Sequence, residues 1–314
     1  MDPLTHLTLG ACTGEILLGK RWGKKAMLFG ALAANLPDVD TVTGLFVRGD
    51  EALLLHRGLT HSFSFALLAG LLLAYLFSCR FRTISFGTFA VFFIVEIGLH
   101  DLLDTCTGYG TGLLEPFSHE RFSFHLLFVV DPLFTLPLVI ASVVLLVRQR
   151  RNLRAYWAAS AIGLSLCYVA IAIYCKSRLD PAANMTTPAP FTTLLWYDVK
   201  KVNGGFYTGY ESVFDQHPVN YTYHAQDSLI LPAPEPYLMR FSAGYYTISR
   251  ADGHLYFNII RFGQIQGWDN GNAPFVLSYP VGANKDENMV IQKGRLAGWN
   301  SRSIKRYWER IGGR

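Results

Sequence analysis

The sequence has few cysteines and no basic stretch ahead of its first apolar run. It has five cysteines among 314 residues; none is part of a Cys-x-x-Cys pair, and the last is Cys175. The part after Cys175 therefore cannot contain a disulfide framework, and we expect the cysteines to act as small buried hydrophobic residues. Asp2 is acidic and no basic stretch precedes the first apolar run, so we expect no signal peptide. Insertion into a membrane would then depend on internal helices.

Charged residues are also scarce, at 16% of the chain against 51% hydrophobic residues, and the mean hydropathy is +0.23. The apolar excess lies before residue 176, where four stretches stand out: 62–79, 86–99, 125–147 and 156–175. The last two reach the length of about 20 residues that a membrane-spanning helix needs. The first is marginal, and the second is short enough to be buried among the others. Residues 7–19 and 26–36 are shorter and favour bundle-packed or interfacial helices.

Basic residues are clustered at 20–25 and 148–154. Short basic loops beside membrane segments mark the cytoplasmic side. If both loops are cytoplasmic, every His/Asp motif described below lies on the opposite, exported face together with the C-terminal part. We therefore predict a multi-pass protein of the bacterial inner (cytoplasmic) membrane, with the lipid bilayer as its partner. Binding of nucleic acid by these clusters is a weaker interpretation, and we expect no nucleic-acid partner.

The character of the chain changes at residue 176. Prolines at 181, 188 and 190 indicate a linker over 176–190. Aromatic and β-branched runs follow, separated by turn signals: 191–202, 206–214, 245–250 and 255–262. The last two flank Asp252-Gly253 and predict a hairpin, and residues 304–311 predict a short closing helix. The expected fold class is α + β, with an N-terminal transmembrane helical bundle over 1–175 and a soluble, mainly antiparallel β domain over 191–314.

The pair His100 and Asp104 is the strongest chemical motif. The two residues are four apart at the end of an apolar segment, so one turn of helix would point both side chains the same way. Glu96 lies one turn earlier and is expected to orient His100. Ionisable groups inside a membrane segment are expensive and usually face the interior of a bundle, where they pair with each other or with a metal.

Further acidic and imidazole groups precede this pair. Pro37 ends an apolar helix and is followed at once by Asp38 and Asp40, whose carboxylates lie in a turn where they can reach a metal. His56 and His61 lie before the next helix, close enough in the chain for their rings to converge. Asp2 and His6 precede the first apolar segment, and Asp131 lies early in what we expect to be the longest apolar helix. Taken singly, several of these residues would be explained as helix ends or as buried hydrogen-bonded pairs.

Neutral histidine and carboxylate side chains form a mixed nitrogen and oxygen set that suits zinc or another divalent ion such as manganese. Such an ion would lower the pKa of a bound water and make it a nucleophile for hydrolysis. Asp101 or Asp40 would act as general base, and Arg57 would hold an anionic oxygen of the substrate. The predicted metal ligands are His6, Asp38, His56, His61, His100, Asp104 and Asp131.

These motifs, in this order, resemble a known family. They are Asp2-x-x-x-His6, Pro37-Asp38-Val39-Asp40, His56-Arg57-Gly58-x-Thr60-His61-Ser62, His100-x-x-x-Asp104 followed by Tyr109-Gly110-Thr111, and Asp131-Pro132. The family is that of bacterial membrane-bound metal-dependent hydrolases of the inner membrane, and the resemblance covers about residues 1–175. That family is in turn distantly similar to zinc-dependent phospholipase C and the S1/P1 nucleases, whose helical sites use His-x-x-x-Asp pairs. The resemblance implies hydrolysis of a phosphoester or lipid-linked substrate.

Two other functions compete with a hydrolase. A non-catalytic membrane scaffold or stress-linked protein would use the metal only to hold the bundle together, and its coordination sphere would be closed. Transport of metal ions is less favoured, because transport sites are expected near the middle of the membrane on broken helices. The motifs of this chain instead cluster at helix ends.

Overall fold

The fold is described from a computed structural model that covers residues 1–47, 49–147, 151–226, 236–251, 253–281, 291–292 and 298–313. Three residues of the predicted basic loop, Arg148, Gln149 and Arg150, and the predicted turn residue Asp252 lie outside the described residues. The chain forms two compact units. The first consists of Met1–Leu45, Leu55–Phe124 and Val129–Ile171, and the second of Phe46–Leu54, His125–Phe128 and Ala172–Arg314.

Helices build the first unit. They are α1 (Pro3–Trp22), α2 (Lys24–Ala33), α4 (Phe63–Arg80), α5 (Phe86–Thr105), α6 (Pro132–Val147) and most of α7 (Arg151–Lys176), with short 3₁₀ helices at Pro37–Leu45 and Leu59–His61. Helix α3 (Gly49–Leu55) belongs almost entirely to the second unit. Three of the helices, α4, α5 and the Leu153–Lys176 part of α7, are long and apolar enough to cross a membrane. The predicted α + β layout is confirmed. Cys79 and Cys167, expected to be buried, are exposed on α4 and α7, whereas Cys12 and Cys175 are buried.

Helix α6 is shorter than the apolar pattern predicts. The run at 125–147 predicts a spanning helix, but the helix begins at Pro132 and has 16 residues. The reason is local, because Asp131 Oδ1 accepts the backbone N–H of Leu133 at 3.2 Å and of Phe134 at 3.4 Å. A capping aspartate followed by proline in the first turn fixes a helix start more strongly than hydropathy does. Asp131 therefore precedes this helix instead of lying within it.

Helices α1 and α2 approach each other closely. Asp2 caps α1, with its side chain accepting from the N–H of Thr5 at 3.1 Å, and the helix runs further in both directions than the expected 7–19. Gly30 of α2 faces Gly10 and Gly14 of α1, and a Cβ on Gly30 would collide with the Gly10 carbonyl oxygen. Glycine is required at this crossing because the two backbones are in contact.

One buried ion pair lies further along α1. Glu15 follows His6 by nine residues, about 14 Å along a helix. Its carboxylate accepts from Arg154 of α7 in a bidentate pair, at 2.8 Å from Nε and 2.5 Å from Nη2. Arg154 also donates to the Leu145 carbonyl of α6. Arg154 was counted in the basic loop at 148–154, but its side chain is buried.

Two antiparallel four-stranded sheets build most of the second unit. Their strands are β1 (Met185–Pro188), β2 (Leu195–Val202), β3 (Gly205–Ser212) and β4 (Thr222–Ala225) in one sheet, and β5 (Tyr246–Ala251), β6 (His254–Gln264), β7 (Phe275–Val281) and β8 (Ile291–Gln292) in the other, each in chain order. Helix α8 (Pro236–Ser242) and helix α9 (Ser301–Ile311) complete the described elements. The predicted hairpin is the β5–β6 pair. Part of the expected linker at 176–190 is strand β1, which pairs with β2.

An aromatic core holds this unit together. Tyr197 of β2, Phe206 of β3 and Ile260 of β6 are buried in one cluster with Trp268 and Tyr307. Tyr307 belongs to α9, so the predicted closing helix packs its buried face into the core between the sheets. A capping box between Asn300 and Ser303 fixes the start of that helix.

Candidate metal centre

Three separate segments bring the predicted ligands together. Pro37 begins the 3₁₀ helix that carries Asp38, and the short Leu59–His61 helix ends at His61, directly before Ser62 caps α4. His100 and Asp104 both lie on the buried face of α5, one turn apart. Donor atoms of all four side chains lie within 4.8 Å of one another. Their role as metal ligands stays a prediction.

The distances within this group, which we call the four-donor cluster (Asp38, His61, His100, Asp104), resemble the edges of a tetrahedron. Asp38 Oδ1 lies 3.3 Å from His61 Nε2 and 3.7 Å from His100 Nε2. Asp104 Oδ2 lies 3.6 Å from His61 Nε2 and 3.7 Å from His100 Nε2. These separations exceed ordinary hydrogen-bond lengths. Four ligands at about 2.1 Å from a tetrahedral zinc would be about 3.4 Å apart, so the cluster has the dimensions of a zinc site.

Three of the converging atoms have no hydrogen-bond partner within the described part of the chain: His61 Nε2, His100 Nε2 and Asp104 Oδ2. Each is buried, and a buried polar atom without a partner costs about 1–3 kcal/mol. Native structures rarely leave several such atoms facing one another. A cation at their centre would satisfy all three, and we therefore regard the donor set as fitting a divalent metal.

The other nitrogen of each imidazole is held by the protein. His100 Nδ1 lies 2.6 Å from the carbonyl oxygen of Ala34. His61 Nδ1 lies 3.1 Å from Thr60 Oγ1, which itself donates to Asp40, and 3.2 Å from Asp40 Oδ2. An Nδ1–H bonded to a carbonyl or carboxylate leaves the Nε2 lone pair free, which is how metal-binding histidines are usually oriented. Glu96 was expected to orient His100, and this expectation is wrong: Glu96 Oε2 accepts from Thr13 Oγ1 at 2.6 Å.

Asp40 is surrounded by donors. It accepts from His56 Nδ1 at 2.8 Å, from the Arg57 backbone N–H at 3.0 Å and from Thr60 Oγ1 at 2.8 Å. Burial opposes the charge of Asp40, but the hydrogen bonds from the two histidines outweigh burial and hold the pKa of this carboxyl well below its usual value. Both carboxylate oxygens of Asp40 already accept hydrogen bonds. Asp40 is therefore better explained as a residue that positions its neighbours than as the general base that the sequence suggested.

His61 belongs to both groups of potential ligands. Together with Asp40 and His56 it forms a second set of donor atoms within 4.8 Å, and the His56 side chain is 27% exposed. Burial disfavours a charged His61, but the neighbouring carboxylates of Asp38 and Asp40 outweigh burial and raise the pKa of the ring to about 9. A ring that is protonated at neutral pH must lose this proton before Nε2 can bind a metal.

Arg57 is directed at the cluster. Its Nε lies 3.0 Å from Asp104 Oδ2, close enough for an ion pair but outside hydrogen-bond geometry. Its Nη1 donates to Thr107 Oγ1 at 2.7 Å, and its guanidinium carbon lies 4.9 Å from the centre of the Tyr109 ring. Arg57 is buried and offsets the charge of Asp104. Its predicted contact with a substrate anion stays a prediction.

The remaining predicted residues occupy different positions. His6 lies beside the cluster, with Nε2 at 3.2 Å from Asp104 Oδ1 and its ring stacked on His100 at 3.8 Å; the Met1 nitrogen contacts both His6 and Asp104. Asp101 is buried, and neither of its oxygens has a hydrogen-bond partner among the residues described. Asp131 is outside the cluster, since it caps α6 and its Oδ2 accepts from Tyr168 at 3.1 Å.

Inspection of the sequence missed the Ala34 carbonyl and the Thr60 hydroxyl. A backbone carbonyl has no residue signature, but Ala34 stands at the end of α2, where the last carbonyls of a helix lack intrahelical partners. The position of Ala34 at the end of a helix therefore indicated that its carbonyl oxygen could accept a hydrogen bond from another residue. Thr60 is part of a motif in the sequence but was given no role there, whereas in the structure its hydroxyl donates to Asp40.

Three helices of spanning length and apolar composition, together with a buried His/Asp cluster, are typical of a membrane protein with a polar interior. The family described as YdjM inner membrane protein matches residues 1–179, and the chain belongs to that family. The inner membrane protein YbcI of Escherichia coli (strain K12) is 34% identical over 123 residues, which are 38% of this chain and 69% of YbcI. No solved structure matches the chain. These comparisons confirm that the chain belongs to a family of inner membrane proteins, as the sequence motifs predicted.

Proposed function

We propose that the chain is a membrane-bound hydrolase that uses a divalent metal, zinc or manganese, to cleave a phosphoester or lipid-linked substrate. The observation that carries the proposal is the four-donor cluster, which has edges of 3.3–3.7 Å. Three of its atoms are buried and have no hydrogen-bond partner among the described residues. A bound ion would lower the pKa of its water and supply the nucleophile at neutral pH. A lipid or lipid-linked phosphoester is the natural substrate class, because the cluster belongs to a unit made of membrane helices.

The residues around the cluster have separate tasks in this proposal. His100 offers its Nε2 atom to the metal, His61 offers its Nε2 atom once the ring has lost its proton, and Arg57 reduces the negative charge that Asp104 adds. Of the two carboxylates predicted as general base, Asp101 suits the role better, because its oxygens have no hydrogen-bond partner in the described chain. The 20% exposed side chain of Asp38 and the partly exposed His56 form the side on which a substrate could approach.

A structural metal is the second candidate. Four protein donors complete a tetrahedron, which is typical of closed structural zinc sites, whereas catalytic sites keep one position for water or substrate. In this alternative the ion holds the 3₁₀ segments against α5 and no hydrolysis takes place. The same residues serve both candidates, so metal content alone does not separate them.

The experiment uses the full chain purified in detergent, with His100→Ala and Asp104→Asn as test variants and His217→Ala, an exposed imidazole of the second unit, as control. Metal content is measured by mass spectrometry, and hydrolysis with a phosphodiester and a phospholipid probe. We expect the test variants to lose metal and activity while they stay folded. Aggregation of both variants, with inactive metal-loaded wild type, would favour the structural metal. Wild type without bound metal would refute both candidates.

We also propose that the second unit lies on the exported face. The cluster of basic residues at 20–25 supports this orientation through the positive-inside rule. Single cysteines at His254 and Lys20, both exposed, are labelled in intact cells with a membrane-impermeant reagent, in a background without the five native cysteines. We expect labelling at residue 254 and protection at residue 20. The reverse pattern would invert the topology.

A further inference from the structure

The second unit contains a small polar cavity that is separate from the four-donor cluster. It has a volume of about 170 Å³ and is bounded by β3, the Asn220–Thr222 segment, the loop after β6 and helix α9. Thr208, Tyr210 and Trp268 are among the residues that line it, together with Asn220 and Thr222. The volume is below the roughly 300–1,000 Å³ of pockets for drug-sized ligands, so a single small ring is the largest occupant it suits.

The charges in the wall of the cavity are balanced by partners in the protein. Arg310 donates to Asp215 in a bidentate pair at 2.8 and 2.6 Å. Asp269 accepts from Arg306 at 2.6 Å. An ionic ligand would need an opposite charge that is not already paired, because removing an ion from water is expensive. The cavity therefore favours a neutral ligand.

The wall combines hydrogen-bonding groups with aromatic rings. Trp268 is 4% exposed, and its Nε1 has no hydrogen-bond partner among the residues described. A buried N–H is rarely left without an acceptor, so an occupant with an oxygen atom at this point would satisfy it. The Tyr210 and Trp268 rings cross edge to face at 6.1 Å and present apolar surface, while Asn220 and Thr222 add an amide and a hydroxyl.

Two glycines make the wall possible. A Cβ on Gly271 would collide with Thr222 Oγ1, and a Cβ on Gly267 would lie 2.7 Å from the Tyr210 ring. Side chains at these positions would force the wall to move, so the loop after β6 can lie against β3 and β4 only with glycine there. The result is a preformed cavity, which lowers the cost of ordering on binding.

We propose that this cavity binds a single neutral sugar ring. A sugar ring carries hydroxyl groups around its rim and C–H groups on its faces, which matches a wall of amide, hydroxyl and indole N–H groups beside aromatic rings. The proposal does not depend on the hydrolase, because no residue of the four-donor cluster lines the cavity. A neutral ligand of this size reaches a Kd on the order of 1 mM.

The test uses the full chain in a detergent without a sugar headgroup, and saturation-transfer NMR titrations with the methyl glycosides of glucose, galactose, mannose and N-acetylglucosamine. We expect at least one probe to bind with a Kd near 1 mM. Thr222→Val and Trp268→Phe each remove one donor while keeping most of the side chain, and each should weaken binding about 3–10-fold. Trp308→Phe, at an exposed indole of α9, should leave binding unchanged.

Folding of each variant is checked by thermal unfolding, and Thr222→Val decides the result if Trp268→Phe is destabilised, because Trp268 also packs in the core. Absence of binding for all four probes at 20-fold above the expected Kd would overturn the proposal. Binding that is the same in wild type and Thr222→Val would also overturn it, because the sugar would then occupy another place.

Discussion

The buried ion pair between Glu15 and Arg154 gives a prediction whose size follows from the structure. Glu15→Ala removes the bidentate partner of a guanidinium that is almost fully buried and also contacts the Leu145 carbonyl. Removing one partner of a buried pair costs about 3–5 kcal/mol, because the other charge is left without compensation. For a unit of this size, each kcal/mol lowers Tm by about 2–4 °C. We therefore expect Tm to fall by about 6–20 °C.

Thermal unfolding of the full chain in detergent measures the effect. Arg21→Ala is the matched control, since this exposed arginine makes a single hydrogen bond of 3.3 Å to Thr88, and exposed polar pairs contribute little. The double variant Glu15→Leu with Arg154→Leu should recover most of the loss, because apolar side chains often replace a buried pair without cost. If Glu15→Ala lowers Tm no more than Arg21→Ala does, the pair is not buried as described.

Two further predictions concern the four-donor cluster and rest on the proposed metal. Asp40→Asn should weaken metal binding about 10–100-fold without unfolding the chain, because Asp40 orients His61; competition with a chelator measures this, and unchanged affinity would contradict a positioning role. Because the pKa of His61 is raised to about 9, its contribution to the stability of the metal-free chain should be complete below pH 6.5 and lost as the pH rises through about 9. Metal affinity should rise by up to about tenfold per pH unit over the same range, and a flat profile would show that His61 keeps no proton.

The sequence predicted the helices well where one strong signal acted alone. Apolar composition located α4 and α5, and the four-residue spacing of His100 and Asp104 predicted a shared buried face. The start of α6 was wrong because hydropathy was given more weight than the capping signal of Asp131 and Pro132. Long strands with β-branched and aromatic residues were found, whereas the short strand β1, which ends in proline, was taken for a linker.

Tertiary contacts account for the remaining differences. Arg154 was counted as a loop charge, because the positive-inside rule counts residues and does not ask where each side chain goes. In the fold it pairs with Glu15, a residue 139 positions away in the chain. Asp40 was similarly interpreted as a free base, since its donors come from a segment 16 to 20 residues later. Such partners are set by how segments pack and leave no periodic trace in the sequence.

The positions of the four donors in the chain determine when the cluster can form during synthesis. Asp38 and His61 precede α4, whereas His100 and Asp104 lie near the end of α5. During synthesis, the first two side chains emerge while the helix that carries the other two has not yet been made. Their partners become available only after α4 and α5 have been made. The four donors can therefore hold an ion together only once both helices have been synthesised.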